Sequence, residues 1–338
     1  MTWAEFPEIR RELDRVQSVI IEEVSRPGGT LSRGLRDLAT RDSKLLRPAF
    51  TIIAARVQTG GAAASDRVIR IAAAIELLHI ASLIHDDIVD ESDSRRGGSA
   101  LHVQYGSRQA VLMGDYLFSR CFALVADHAQ PENAVLLSAA VSHIITSEIS
   151  ETNGGDDSGF SVRKYLHRVV GKTAVLFALS FHFGASEACE GECDQRTVEI
   201  LRRVGYNIGV GFQIIDDLLD LFGNSKRTGK PGNTDIRHGI LTLPVILAAN
   251  SSQRSRLIRV LQRIGTNGQR SNRIMRFWHD RAIERVRSEV ADAGGRAGAK
   301  AAAELYTRRA EREINRLPAG PDQVVLREVA DRLLSRAS

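Results

Sequence analysis

Residues 67 to 90 are apolar on every side of a helix: Val68, Ile71, Ile75, Leu78, Ile80, Leu83 and Ile84 leave no polar stripe among them. A helix of that kind, too short and interrupted to span a membrane, belongs inside a bundle. Residues 197 to 222 repeat the pattern, with Val198, Leu201, Val204, Ile208, Phe212 and Ile215. Segments 254–263 and 296–316 are more amphipathic and rich in arginine, which predicts outer helices with solvated faces. Period-two alternation is scarce, and most of the eight prolines sit where a helix begins or a loop turns. No shift in composition marks a domain boundary. The pattern predicts an all-α, single-domain helical bundle over residues 1–338, with an N-terminal helical segment at 1–40 and peripheral C-terminal helices at 250–338.

Each of the two apolar helices ends in the same acidic cluster. The first is Asp86-Asp87-Ile88-Val89-Asp90 and the second is Asp216-Asp217-Leu218-Leu219-Asp220. At about 100° per residue, the first and last carboxylates of each cluster stand about 40° apart on the helix. His79 lies about 20° from Asp86 and two turns deeper. Like charges so close repel, and the repulsion grows with burial. Two such costs in one chain point to a shared cation. Hard divalent ions take carboxylate, water and phosphate oxygens, and the EF-hand alternative fails because its twelve-residue loop pattern is absent. Two clusters facing one cavity could hold several metals and the polyanion that comes with them.

Cations answer the acids. Arg95 and Arg96 follow the first cluster directly, Lys44 and Arg47 stand three apart at a predicted helix start, and Lys172-Thr173 and Lys230 lie elsewhere. Arginine forks suit phosphate, and a helix start adds backbone N–H groups. The net charge of +5 over 338 residues allows an anionic ligand, while 5% aromatics without interleaved basic runs argue against nucleic acid. Three cysteines, Cys121, Cys189 and Cys193, are an odd and sparse set, which predicts a reducing compartment and no disulfide framework. The N-terminal residues lack a signal-peptide layout and no run of about 18 uninterrupted apolar residues occurs, so a cytoplasmic location is expected.

These motifs together resemble the trans (E-type) polyprenyl diphosphate synthases, from about residue 40 to 250. The run from Glu76 through His79, Asp86, Asp90, Arg95 and Arg96 is similar to the first aspartate-rich motif of that family. Gly114-Asp115, Gly171-Lys172-Thr173, Phe212-Gln213 with the second cluster, Gly229-Lys230 and Thr242-Leu-Pro244 match further blocks. The resemblance implies a deep central cavity in the helical bundle, a homodimer, and head-to-tail condensation of an allylic diphosphate with isopentenyl diphosphate. It implies Mg2+, three per active site. By position, Asp86, Asp90, Asp216 and Asp220 would hold metal, with Asp87 in support. Arg95, Lys172, Lys230 and Gln213 would contact the allylic diphosphate, with Thr173 and Gln213 turning oxygens toward the cation. Lys44, Arg47, His79 and Arg96 would bind isopentenyl diphosphate.

Two positions depart from the family pattern. Ser43 stands where a glycine often precedes Lys44, and Ile240 stands where many members carry lysine. Ala81 and Ser82, five and four residues before Asp86, are small where bulky aromatics would stop chain growth. That implies a product of C30 to C50, with Phe118, Phe122 and Leu137 as candidates for the floor of the bore. The alternatives are a shorter farnesyl or geranylgeranyl diphosphate synthase and a non-catalytic subunit of a heteromeric synthase. An accessory small subunit, and peripheral membrane contact for product release, stay open.

Overall fold

The structure, a computed structural model, describes residues 3–41, 43–95, 97–152, 160–223, 233–237, 239–250, 257, 258, 261 and 273–335. The chain opens with helices α1 (Pro7–Ser25), α2 (Gly29–Thr40), α3 (Leu46–Thr59) and α4 (Asp66–Val89). A hairpin of two-residue strands, β1 (Ser94–Arg95) and β2 (Gly98–Ser99), pairs Ser94 with Ser99 and Arg95 with Gly98. Then come α5 (Leu101–Tyr105), α6 (Ser107–His128), α7 (Pro131–Thr152), α8 (Val162–Val169), a π-helical turn Val170–Ala174, α9 (Val175–Ser186) and α10 (Gln195–Phe222). Further helices follow at Thr234–Arg237, Leu243–Ala249, Arg273–Asp292, Gly295–Ile314 and Pro321–Leu334 among the described residues. The all-α expectation holds, and the hairpin is the only sheet among the described residues.

The chain divides into two compact units. One comprises residues 1–142, 175–206 and 311–329, and the other 143–174, 207–310 and 330–338. In the first unit α4 packs against α1, α3, α6 and α9. Its turns from Ile71 to Leu78 are buried without interruption, Glu76 included, as its unstriped sequence requires. Ser65 caps its start by accepting from the Val68 N–H at 3.4 Å. Phe50 of α3 meets Phe177 and Phe181 of α9 at 5.3 and 4.8 Å between ring centroids. At Gly184 the two helices run so close that a Cβ would strike the Thr51 backbone.

One buried ion cluster ties the termini into this unit. Arg56 of α3 donates to Asp322 at 2.6 Å, to Glu12 at 3.4 Å and to Glu8. Glu12 also accepts the Ala64 N–H at 3.0 Å. Burial raises the Glu12 carboxyl above its ordinary value, opposed by the Ala64 N–H and then by Arg56.

One expectation changes here. Cys189 and Cys193 are joined as a disulfide between α9 and α10, against the prediction of none. Their loop brings the Cα atoms to 5.6 Å, within bridging distance, which cysteine counting could not reveal. Cys121 stays free and buried, and burial pushes its thiol up to about 12. By length and composition Asp66–Val89 and Val162–Ser186 could cross a membrane, but 72% of each apolar window is buried inside the protein, as in core helices.

Candidate active site

In the first unit α4 delivers the first cluster at its C-terminal end. Asp86 and Asp90 are half-buried, and the Asp90 N–H closes on the Asp86 carbonyl at 2.8 Å. Asp87 turns inward and is 3% exposed. Arg95 grips it, with Nε donating to Oδ1 at 2.7 Å and Nη2 to the same atom. Burial raises the Asp87 carboxyl, with Arg95 pulling it back down. The hairpin that carries Arg95 is itself held by Arg41, whose guanidinium donates to the Ser99 carbonyl at 3.0 Å and lies against Gly98. Arg95 was expected on a diphosphate; its visible partner is Asp87. Arg96 lies outside the described residues.

The second unit repeats this division of labour on α10. Asp216 and Asp220 are half-buried, while Asp217 is 4% exposed. Asp217 accepts from the Tyr165 hydroxyl at 2.6 Å and from Gln213 Nε2 at 2.9 Å. The Thr173 hydroxyl donates to Gln213 Oε1 at 2.6 Å, which extends the chain of hydrogen bonds to four residues. Burial pushes Asp217 up to about 6 and Tyr165 well above its ordinary value. The Asp235 N–H donates to Asp220 Oδ2 at 3.3 Å. Asp235 is pushed up to about 8 by burial and then by the charges of Asp217, Asp220 and Asp216. Sequence reasoning missed Asp235 because nothing in spacing ties it to Asp220, fifteen residues earlier. Tyr165 was missed for a similar reason: its partner lies 52 positions away. Lys230 lies outside the described residues.

Lys172 and Thr173 sit on the π-helical turn between α8 and α9. Widened turns of this kind recur where a helix must re-aim side chains at a functional site. Lys172 Nζ stands 3.9 Å from Glu148 Oε1, and Thr173 is buried at 5% exposure. A Cβ at Gly171 would collide with Ser147 of α7, so only glycine allows that approach. Replacing Tyr165 by Phe removes one donor from a buried carboxylate, a loss of about 1–3 kcal/mol. The expected result is a stability lowered by that amount in urea unfolding; an unchanged midpoint would show that the Tyr165–Asp217 bond contributes nothing.

The remaining predicted residues lie in the first unit. Lys44 is exposed, and its carbonyl accepts from Trp3 Nε1 at 2.7 Å. Ser43 Oγ donates to the buried Glu76 at 3.2 Å, so the departure from glycine creates a hydrogen bond. The Arg47 guanidinium stands 5.1 Å from the Phe177 ring centroid, a cation–π contact. His79 is half-buried and its carbonyl accepts from Ser82 Oγ at 2.8 Å. Ala81 is fully buried. Of the three floor candidates Leu137 is buried and Phe118 is half-buried beside His85, at 5.4 Å between rings. Phe122 is 38% exposed, against its expected place inside. Helix α6 buries Leu117, Cys121 and Leu124, and Phe122 projects about 100° away from Cys121.

The donor set suits a hard divalent cation. Each cluster offers a half-buried i, i+4 carboxylate pair, while its middle aspartate is consumed as an anchor. Among the described residues no three carboxylate, imidazole or thiol groups converge as a complete metal cage. A bound ion would therefore complete its shell with water and phosphate oxygens, the habit of Mg2+.

Comparison with known proteins finds relatives along most of the chain. Residues 29–278 match the polyprenyl synthetase family model. The chain is 31% identical over 330 residues to nonaprenyl diphosphate synthase of Mycobacterium tuberculosis, covering 97% of this chain and 93% of that one. It is 33% identical over 242 residues to heptaprenyl diphosphate synthase component 2 of Geobacillus stearothermophilus, covering 72% and 74%. Among solved structures, polyprenyl synthase from Caulobacter crescentus, complexed with calcium and isoprenyl diphosphate, superposes with a TM-score of 0.85 at 30% identity, covering 97% of this chain and 96% of that one.

Proposed function

The chain belongs to the polyprenyl synthetase family, and from that premise we propose how its residues divide the work. It is a prenyltransferase that joins an allylic diphosphate to isopentenyl diphosphate, head to tail and with trans geometry, giving a polyprenyl diphosphate of C30 to C50. The observation behind the residue roles is the repeated arrangement of the two clusters: one aspartate anchored inward, two half-buried. Asp86, Asp90, Asp216 and Asp220 hold divalent metal, which we assign as three Mg2+ per active site. When bound, the metal neutralises the diphosphate and makes it a better leaving group.

The side chains do the rest. Arg95, Lys172 and Lys230 add fixed positive charge to the leaving diphosphate, where preorganised charge counts most as the C–O bond breaks. That bond's electron pair departs with the diphosphate. The isopentenyl double bond then attacks the allylic carbon, and the departed diphosphate takes up the proton lost from the new chain. Gln213 and Thr173 are locked by their mutual hydrogen bond, so their oxygens meet the cation as oriented dipoles. Asp87 and Asp217 keep the two helix ends in register with Arg95 and Tyr165. Lys44, Arg47, His79 and Arg96 bind isopentenyl diphosphate.

The assembly proposed is a homodimer. Val111, Leu112 and Phe122 support it, since all three lie exposed on α6. A cytoplasmic location is part of the proposal, and cell fractionation checks it.

The test uses the purified chain alone with Mg2+, farnesyl diphosphate and labelled isopentenyl diphosphate, with products separated by length. Products of C30 to C50 are expected. Turnover only after adding a second subunit would favour the two-component reading, which the similarity to a protein named component 2 keeps in view. Products ending at C15 or C20 would overturn the chain length. In the same assay Ala81→Phe or Ser82→Phe is expected to shorten the product; unchanged length would sink the role of these two small residues.

A further inference from the structure

The turn that presents Lys44 and Arg47 is not stable by its own sequence. Leu45 sits at φ 45° and ψ 41°, a left-handed conformation for a branched residue. That conformation costs about 1–2 kcal/mol without glycine. No side chain caps the start of α3, although the Ala49 N–H closes on the Leu45 carbonyl at 2.9 Å. Something outside the turn must hold it. The first contact is the Trp3 indole, which donates to the Lys44 carbonyl at 2.7 Å from 41 positions away. Trp3 is 6% exposed, packed against Phe6 at 6.2 Å between rings. The second is the Ser43 hydroxyl on buried Glu76 of α4, the helix that carries the first aspartate cluster.

We propose that Trp3 is a positioning residue for isopentenyl diphosphate: its indole N–H locks the Lys44 carbonyl and so aims Lys44 at the substrate. This rests on the reading of Lys44 and Arg47 as ligands of that diphosphate. The extreme N-terminal turn, Trp3–Glu5, then acts as a strut under a binding loop rather than as a decoration of α1. Without the strut, Lys44 samples wider positions and binds the same anion less well, while groups on α8, α9 and α10 are untouched.

The experiment compares Trp3→Phe, which keeps a buried ring but removes the donor, with Lys44→Ala and the double variant. Isopentenyl diphosphate binding is measured by calorimetry, and both KM values by initial rates. Trp3→Phe is expected to weaken isopentenyl diphosphate binding about fivefold, the worth of one lost hydrogen bond, with the allylic KM unchanged. The double variant is expected to bind no more weakly than Lys44→Ala, because Trp3 acts through Lys44. Unchanged binding in Trp3→Phe, a parallel rise in both KM values, or full additivity overturns the strut. If Lys44→Ala itself leaves binding unchanged, the assignment of Lys44 falls and the strut falls with it. If only Trp3→Phe is silent, the assignment of Lys44 survives and the strut alone is lost.

Discussion

Asp86→Asn is expected to lower kcat by about a thousandfold while leaving thermal stability nearly unchanged. The side chain is half-buried at the end of α4, and the anchoring duty there belongs to Asp87. Exchange for an amide keeps shape and removes charge, so the helix end persists but the proposed metal site loses an anionic ligand. Losing one preorganised electrostatic partner of a leaving group costs about 10²–10³ in rate, and a metal ligand stands at the upper end. The concentration of Mg2+ needed for half-maximal rate should rise alongside. Asp216→Asn should behave alike. Asp87→Asn should differ in kind, because it leaves Arg95 facing a neutral amide and loosens the hairpin that carries it. Rates within about threefold of the parent for Asp86→Asn and Asp216→Asn would remove these residues from the chemistry.

Arg56→Met is expected to destabilise the protein by about 3–5 kcal/mol, because removing one partner of a buried ion cluster strands the rest. Glu12 and Asp322 are both almost wholly buried, and Glu8 reaches in from a more exposed position. Methionine restores most of the packing volume, so the loss reads electrostatics rather than a cavity. The pH dependence gives the sign. Burial already raises Glu12 above its unfolded value, and removing Arg56 raises it further. An acid whose folded pKa lies above the unfolded one favours the folded state when protonated. Its contribution is therefore full below the unfolded value near 4.5 and falls as pH rises toward the folded value. The deficit of Arg56→Met should be smaller at pH 5 than at pH 8, measured by urea unfolding. A flat profile, or a loss below about 1 kcal/mol, would show the cluster to be solvated in practice.

The helices that carry the candidate site were legible in the primary sequence, and the limits are instructive residue by residue. The unstriped helix at 67–90 became α4 within one residue at either end, and 197–222 became α10 with two more residues at its start. Both successes rest on local periodicity, which needs no knowledge of neighbours. The i, i+4 grouping of Asp86 with Asp90 and of Asp216 with Asp220 is likewise helix geometry. What could not be read is which aspartate anchors. That depends on Arg95 reaching back through a hairpin and on Tyr165 arriving from 52 positions away. The Cys189–Cys193 bridge and the exposure of Phe122 were misjudged for a related cause: both depend on where a neighbouring segment or helix face points.

The sequence by itself determined the fold class and the pairs of acids, because both follow from residue types at fixed helical spacing, and it pointed to the family through the resemblance of its motifs. Only tertiary structure decided that the middle aspartates are buried supports, that Gln213 and Thr173 form one hydrogen-bonded unit, and that Trp3 holds the carbonyl of Lys44. These are contacts between segments distant in sequence. Their energies depend on burial and on donor geometry, and neither quantity exists until the chain has folded.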